Sequence, residues 1–120
     1  MSNNDSSITN APLVIQEKPE QHRFEATKNG VLAGYVEYNV LSEALMFTHT
    51  EVIEAFEGQG VGSALAKHVL AEARQRGKQV IPVCQFIAGY IRKHREQYAD
   101  LVRPDVQEAL RPSAGGAARS

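Results

Sequence analysis

Three glycines in a short stretch, FEGQGVGSAL at residues 56–65, stand directly before a segment with helical spacing. The first turn of a helix exposes unpaired backbone N–H groups and a partial positive charge, which together favour an anion. Glycines at 58, 60 and 62 leave those amides open to a phosphate group. The pattern therefore predicts a phosphate or pyrophosphate ligand at residues 58–63. A tight turn with close helix packing would need the same glycines, so that structural alternative stays open.

Other phosphate-binding motifs fit this stretch poorly. A Walker A loop ends in Gly-Lys-Ser/Thr, whereas Gly62 is followed directly by Ser63 here. A dinucleotide-binding turn follows a parallel strand, whereas the strand predicted before this turn belongs to an antiparallel meander. A nucleotide-binding domain that uses the same turn is therefore the weaker alternative.

Cys84, the single cysteine of the chain, is the first candidate for reactive chemistry. It ends an apolar stretch, and a segment with helical spacing begins directly after it. A thiolate at a helix N-terminus is a strong nucleophile, whereas a buried cysteine more simply packs as a small apolar side chain. One cysteine excludes an internal disulfide and favours a reducing, cytoplasmic compartment.

His49 and Glu51 are the second candidates, because they stand two residues apart in a predicted strand. Strand alternation predicts that they share a face with Phe47, and that Thr48 and Thr50 point to the opposite face. A histidine can accept a proton near neutral pH, which suits it to general base catalysis. A strand histidine that merely hydrogen-bonds a neighbour is the structural alternative.

The hydrophobic pattern predicts the elements that position these residues. Residues 22–40 alternate on both sides of Asn29-Gly30, a dipeptide typical of a tight hairpin, and residues 44–52 form a third strand. Apolar residues then recur at helical spacing until Gly77, and a short strand and a second helix follow. The predicted order β-β-β-α-β-α is an α/β (α+β) fold, a mostly antiparallel sheet with one β-α-β crossover.

Composition limits the possible partners. The 120 residues include 13 basic and 14 acidic ones, so the charge balance gives no case for nucleic acid or an acidic membrane surface. No stretch approaches the roughly 18 apolar residues of a membrane span. We interpret residues 21–103 as one domain, between a flexible N-terminal segment at 1–20 and a flexible tail at 104–120. The scattered histidines and single cysteine predict no metal site.

The stretch EVIEAFEGQGVGSALAKHVLAEARQRG, residues 51–77, resembles motif A of the GNAT N-acetyltransferase superfamily. THTEV before the turn and IPVCQFIAGYI after it resemble a short branch of that superfamily, and the likeness covers residues 22–102. The resemblance implies a minimal GNAT-like fold that binds acetyl-CoA and transfers the acetyl group to an amine. It implies that Val52 and Ile53 meet the pantetheine arm. The residues implied to hold the pyrophosphate are Gly58, Gln59, Gly60, Val61, Gly62 and Ser63.

The resemblance also implies catalytic roles. His49, or a water beside it, would accept the proton of an amine that attacks the thioester directly, and Glu51 would orient His49 or act as base itself. Alternatively, Cys84 would take the acetyl group first and pass it on. Tyr90 or Tyr98 would protonate the departing thiolate, as a tyrosine does in many GNATs.

The sequence departs from the superfamily pattern in two places. Glu57 stands where most members have Arg or Gln, and the long helices that help to form their acceptor cleft have no room here. The acceptor, a small-molecule or protein amine, and the oligomeric state therefore stay open. A non-catalytic acyl-CoA-binding or protein-interaction module of the same fold is the alternative function.

Overall fold

The computed structural model of the protein describes residues 12–104. Over that range the chain forms a five-stranded sheet in the order β1-β2-β3-β4-β5, with neighbours antiparallel except for the parallel pair β4 and β5. The strands are β1 Leu13–Lys18, β2 Arg23–Lys28, β3 Val31–Val40, β4 Ala44–Val52 and β5 Gln79–Pro82, and the helices are α1 Val61–Gln75, α2 Gln85–Lys93 and α3 Arg95–Tyr98. The predicted fold class, a mostly antiparallel sheet with one β-α-β crossover, is confirmed.

The hairpin between β2 and β3 forms at the dipeptide that predicted it. Asn29 and Gly30 have positive φ angles of 52° and 80°, which this tight turn requires. Lys28 pairs with Val31 directly across the turn. The turn therefore lies at the same end of the sheet as the end of β4, since Ile53 donates its N–H to Ala33 of β3 at 2.8 Å.

One strand was not predicted. Residues 13–18 fell in the segment interpreted as flexible, but they pair with β2 as the edge strand β1. Glu17 anchors this strand: it accepts a hydrogen bond from the Tyr38 hydroxyl and one of 2.6 Å from Arg76. Those partners lie 21 and 59 residues away, so the local pattern did not reveal them. The rest of the predicted flexible ends, residues 1–11 and 105–120, lies outside the described residues.

A β-bulge in β4 changes which side chains share a face. Tyr38 pairs with Phe47 and Glu37 pairs with His49, so Thr48 is the extra residue. Phe47 is fully buried in the core, whereas His49 points to the opposite face. The prediction that Phe47 and His49 share a face is therefore wrong, because alternation fails across an inserted residue.

The core lies between the sheet and the helices. Helix α1 packs across β2, β3 and β4, and its buried residues form a single cluster with those of the sheet and α2. Fully burying a valine or leucine side chain contributes about 1.5–3 kcal/mol. The packing of the buried face of α1 on the sheet therefore holds the helix in place and fixes where it begins relative to β4. The buried apolar residues of α1 are Val61, Leu65, Ala66, Val69, Leu70 and Ala73.

The C-terminal end of α1 is also as predicted. Gly77 follows the helix with a φ of 69°, the left-handed conformation expected of a glycine just past a helix end.

Within residues 12–104, no helix combines the length and the hydropathy needed to cross a membrane.

Candidate functional site

Strands β4 and β5 run side by side and then separate, which creates an opening in the sheet. Their pairing extends from Ala44 with Gln79 to Phe47 with Pro82. Beyond that point β4 continues to Val52, paired with β3 but no longer with β5. The Cys84 N–H still donates to the Phe47 carbonyl at 2.9 Å, which closes the narrow end of the opening. We call this opening, between residues 48–52 and residues 83–86, the fork. Its β4 side presents a strand edge that no other described strand covers, and such an edge offers backbone hydrogen-bonding groups.

The glycine turn lies between the end of β4 and α1. Gly58 and Gly60 have φ angles of 82° and 81°, which L side chains rarely adopt. A β-carbon at either position would meet no other atom within 4 Å, so both glycines border open space. Gly60 is the N-cap of α1, and no side chain caps the first amides of this helix among the described residues. The turn is therefore compatible with an anion at the start of a 15-residue helix.

Gly62 serves a different purpose. A β-carbon there would lie 2.7 Å from the ring of Phe86, at the start of α2. The absence of a side chain therefore lets Phe86 pack against the first turn of α1. The structural alternative weighed for the glycines, close packing, thus applies to Gly62, whereas Gly58 and Gly60 leave space.

The two residues implied to meet pantetheine differ in what they can offer. The backbone of Ile53 is fully engaged, because its N–H binds Ala33 and its carbonyl accepts the Phe56 N–H at 2.8 Å. Neighbouring residues of a strand direct their backbone groups to opposite sides. The backbone groups of Val52 therefore face the fork.

Cys84 and Thr50 meet on the core side of the fork. The sulfur of Cys84 lies 3.1 Å from the Thr50 hydroxyl, and Cys84 is the N-cap residue of α2. Only 7% of Cys84 is exposed. The prediction that Thr50 lies on the face opposite His49 is confirmed, but the sequence analysis did not predict the contact of Thr50 with Cys84. That contact requires the parallel pairing of β4 with β5, which the predicted β-α-β crossover already implied.

His49 and Glu51 lie on the outer side of the fork, away from Cys84. His49 Nε2 and Glu51 Oε1 are 3.1 Å apart, and about half of each side chain is exposed. The ring of Tyr35 lies beside them, 6.1 Å from the His49 ring centre. The structure thus brings His49 and Glu51 together, as predicted, and puts them across β4 from the cysteine.

A cavity of about 310 Å³ lies between Ser63, in the first turn of α1, and α2. Burial raises the pKa of Tyr90 on its wall, and neighbouring Tyr98 raises that pKa further, so the Tyr90 hydroxyl stays protonated at neutral pH. A larger groove of about 580 Å³ runs between α1 and α3, but it contains no side chain of the fork. The smaller cavity is lined by Ser63, Gln85, Phe86, Gly89, Tyr90, Lys93 and His94.

The described residues contain no group of three or more His, Cys, Asp or Glu side chains placed to hold a metal ion. The groups at the fork that can do chemistry are therefore an imidazole with its carboxylate, a thiol with its hydroxyl, and backbone amides. This set suits proton transfer and transfer to or from a sulfur atom.

Residues 23–101 match the family model for the GCN5-related N-acetyl-transferase. None of the curated proteins matches. The NMR structure of a GCN5-like protein from Staphylococcus aureus is 25% identical, covers 86% of this chain and 91% of its own, and superposes with a TM-score of 0.57.

Two ribosomal-protein acetyltransferases superpose with lower TM-scores. The ribosomal-protein-S18-alanine N-acetyltransferase from Escherichia coli is 27% identical over 48% of this chain, with a TM-score of 0.47, and the match spans 38% of that enzyme. The ribosomal-protein-alanine N-acetyltransferase from Brucella melitensis is 20% identical over 68% of this chain and 61% of its own, with a TM-score of 0.49. The family match over most of the described residues decides the assignment: this chain belongs to the GCN5-related N-acetyltransferase (GNAT) family.

Proposed function

We propose that this chain binds acetyl-CoA at the fork and transfers its acetyl group to an amine. One observation carries the proposal. The edge of β4 and Cys84 border the fork, and the open glycine turn leads into the first turn of α1, where Gly62 faces Phe86 of the fork; all of them lie inside the region that matches the family model. GNAT proteins in general use acetyl-CoA, and the E. coli and Brucella proteins are named as acetyltransferases of ribosomal-protein alanine. The acceptor of this chain is proposed only as an amine.

The residues of the chain fit such a donor. The open space at Gly58 and Gly60 leaves room for a pyrophosphate on the amides of residues 58–63. The backbone of Val52 would bind the pantetheine arm along the strand edge. When bound, acetyl-CoA supplies an acetyl group activated as a thioester. The chain would hold this group in the fork, where side chains on both faces of β4 can contact it.

His49 acts from the outer side in the main route that we propose. As an amine forms its new bond to the acetyl carbon, the bond from that carbon to the coenzyme A sulfur would break and the amine would lose a proton, which an imidazole is suited to accept. Glu51 binds Nε2 of His49, which leaves Nδ1 for the amine. The half-exposed position of His49 admits an acceptor from solvent.

Cys84 offers a second route from the core side. Its sulfur would form a bond to the acetyl carbon while the bond to coenzyme A breaks, and the thiol proton would pass to the departing coenzyme A sulfur. The amine would then form its bond to that carbon while the bond to the Cys84 sulfur breaks, and the proton that the amine loses would restore the thiol. The N-cap position of Cys84 and its contact with Thr50 favour this route. Intact mass spectrometry after mixing with acetyl-CoA alone separates the two. An acetyl group that is retained by the wild type and absent from Cys84→Ala supports the cysteine route, and an unmodified wild type supports direct attack.

Calorimetric titration with acetyl-CoA tests the proposal itself. We expect Gly60→Asp to abolish binding, because a carboxylate at the turn repels the pyrophosphate and fills its space. Gly77→Asp is the matched control, since Gly77 also has a positive φ but lies at the other end of α1. Wild-type protein that binds no acetyl-CoA would refute the function. Binding without transfer to any of a panel of small and peptide amines would instead favour the non-catalytic module.

A further inference from the structure

Lys28 is the charged side chain that lies buried among residues 12–104. Only 8% of it is exposed, and its ammonium group donates a hydrogen bond of 2.8 Å to Gln59 Oε1 in the glycine turn. Burying an ammonium group is costly unless partners compensate for the lost water. The hydrogen bond to Gln59 therefore ties the ammonium group of Lys28 to the glycine turn.

The strand pattern shows that Lys28 stands at a core position. Phe24, Ala26 and Lys28 alternate along β2, and all three are buried on the face that α1 covers. An apolar residue would satisfy the packing at this position. The lysine instead extends from the end of β2 to the turn before α1, and its amide partner there is 31 residues further along the chain.

The turn itself contains no basic side chain. Residues 57–63 read EGQGVGS, and their ionisable side chain is the carboxylate of Glu57. The amides of the turn supply partial positive charge, but Glu57 opposes a pyrophosphate. A cation from another element would restore the balance, and Lys28 is bonded to the turn.

We propose that Lys28 binds the pyrophosphate of the acyl donor at the glycine turn. Gln59 holds the ammonium group at the turn. An ammonium group is a common phosphate ligand that acts as a point charge. Lys28 therefore makes the chain selective for phosphorylated pantetheine thioesters, such as acetyl-CoA, over the same thioester without phosphate. This inference rests on the proposed function.

The test compares two donors that differ in their phosphates. Acetyl-CoA and S-acetylpantetheine are titrated into wild type, Lys28→Met, Lys28→Arg and Lys67→Met, the last being an exposed lysine of α1. We expect Lys28→Met to weaken acetyl-CoA binding about tenfold to a hundredfold and to leave S-acetylpantetheine binding unchanged, as the loss of one charged hydrogen bond predicts. Lys28→Arg should keep most of the affinity, and Lys67→Met should keep all of it.

Each other outcome overturns the inference. Unchanged acetyl-CoA affinity in Lys28→Met removes the role, and an equal loss for both donors shows that Lys28 only supports the fold. If Lys28→Met does not fold, Gln59→Ala replaces it. We then expect the affinity for acetyl-CoA to fall a few fold and the affinity for S-acetylpantetheine to stay the same. An unchanged affinity for acetyl-CoA would overturn the role. A wild type that binds acetyl-CoA while Lys28 proves dispensable leaves the proposed function intact. A wild type that binds neither donor refutes both.

Discussion

Two polar clusters of this fold have different surroundings. One joins β1 to α1, and the other lies at the fork. The first, which we call the anchor cluster, consists of Glu17, Tyr38, Glu72 and Arg76. Arg76 binds both carboxylates, at 2.6 Å to Glu17 and 2.9 Å to Glu72, and the Tyr38 hydroxyl also donates to Glu17. Tyr38 is only 3% exposed, and burial raises the pKa of its hydroxyl, which keeps it neutral. The hydrogen bonds of this cluster connect three elements to one another.

The fork cluster, consisting of His49, Glu51, Thr50 and Cys84, surrounds an open strand edge instead. Its pairs lie on opposite sides of β4, one half exposed and one facing the core. The comparison indicates that extensive hydrogen bonding within the protein accompanies a structural role, whereas a half-exposed pair beside an opening, such as His49 and Glu51, remains available to a ligand. Substitutions in the anchor cluster should therefore change stability without changing turnover, and substitutions at the outer fork should do the reverse.

The largest effect should come from His49→Ala. Removing the general base should lower kcat about 10²–10⁴-fold, while the affinity for acetyl-CoA and the melting temperature stay near their wild-type values. Steady-state kinetics with the best acceptor amine measure the change. His22→Asn is the control, because His22 has a positive φ of 56°, which asparagine tolerates, and lies outside the fork. An unchanged kcat in His49→Ala would remove the outer side of the fork from the chemistry.

Glu17→Gln should show the opposite pattern. The loss of a charged hydrogen bond to Arg76 should lower the free energy of unfolding by about 2 kcal/mol at pH 7, with kcat unchanged. Urea denaturation measures the difference. Glu20→Gln, an exposed neighbour, should have no effect.

The same variant gives a pH test. The hydrogen bond from Arg76 holds the pKa of the Glu17 carboxyl below its usual value of 4.5. The stability that this interaction contributes is therefore present above pH 4.5 and is lost as the pH falls through the lowered pKa. The curves of wild type and Glu17→Gln should converge in acid, and a difference that persists at pH 2 would contradict the assigned partner.

Local patterns accounted for much of the fold. The Asn29-Gly30 turn, helix α1 and the stop at Gly77 each depend on residues close in sequence, whose conformational preferences and spacing are visible directly. The β-α-β crossover followed from the order of these elements. The glycine turn was located for the same reason, because its position between a strand and a helix is a local property.

The remaining features depend on contacts between distant residues. Strand β1 is anchored by Tyr38 of β3 and by Arg76, which follows α1. The bulge at Thr48 exists only relative to β3, and the packing of Phe86 explains Gly62 only once α2 is in place. Simple alternation fails across the bulge, which is why it misplaces Phe47 relative to His49. The sequence gives no local signal for Lys28, because a lysine at the end of a strand usually reaches solvent.

The smallest effect should come from Glu51→Gln. Glutamine can keep a hydrogen bond to His49 but loses the negative charge that supports a protonated ring, so kcat should fall about tenfold. The free energy of unfolding should stay within about 1 kcal/mol of wild type, because an exposed pair contributes little to stability. Glu96→Gln, an exposed carboxylate of α3, serves as the control for the loss of one charge. If Glu51→Gln destabilised the protein without slowing turnover, the His49–Glu51 pair would behave like the anchor cluster, and the distinction between the two clusters would fail.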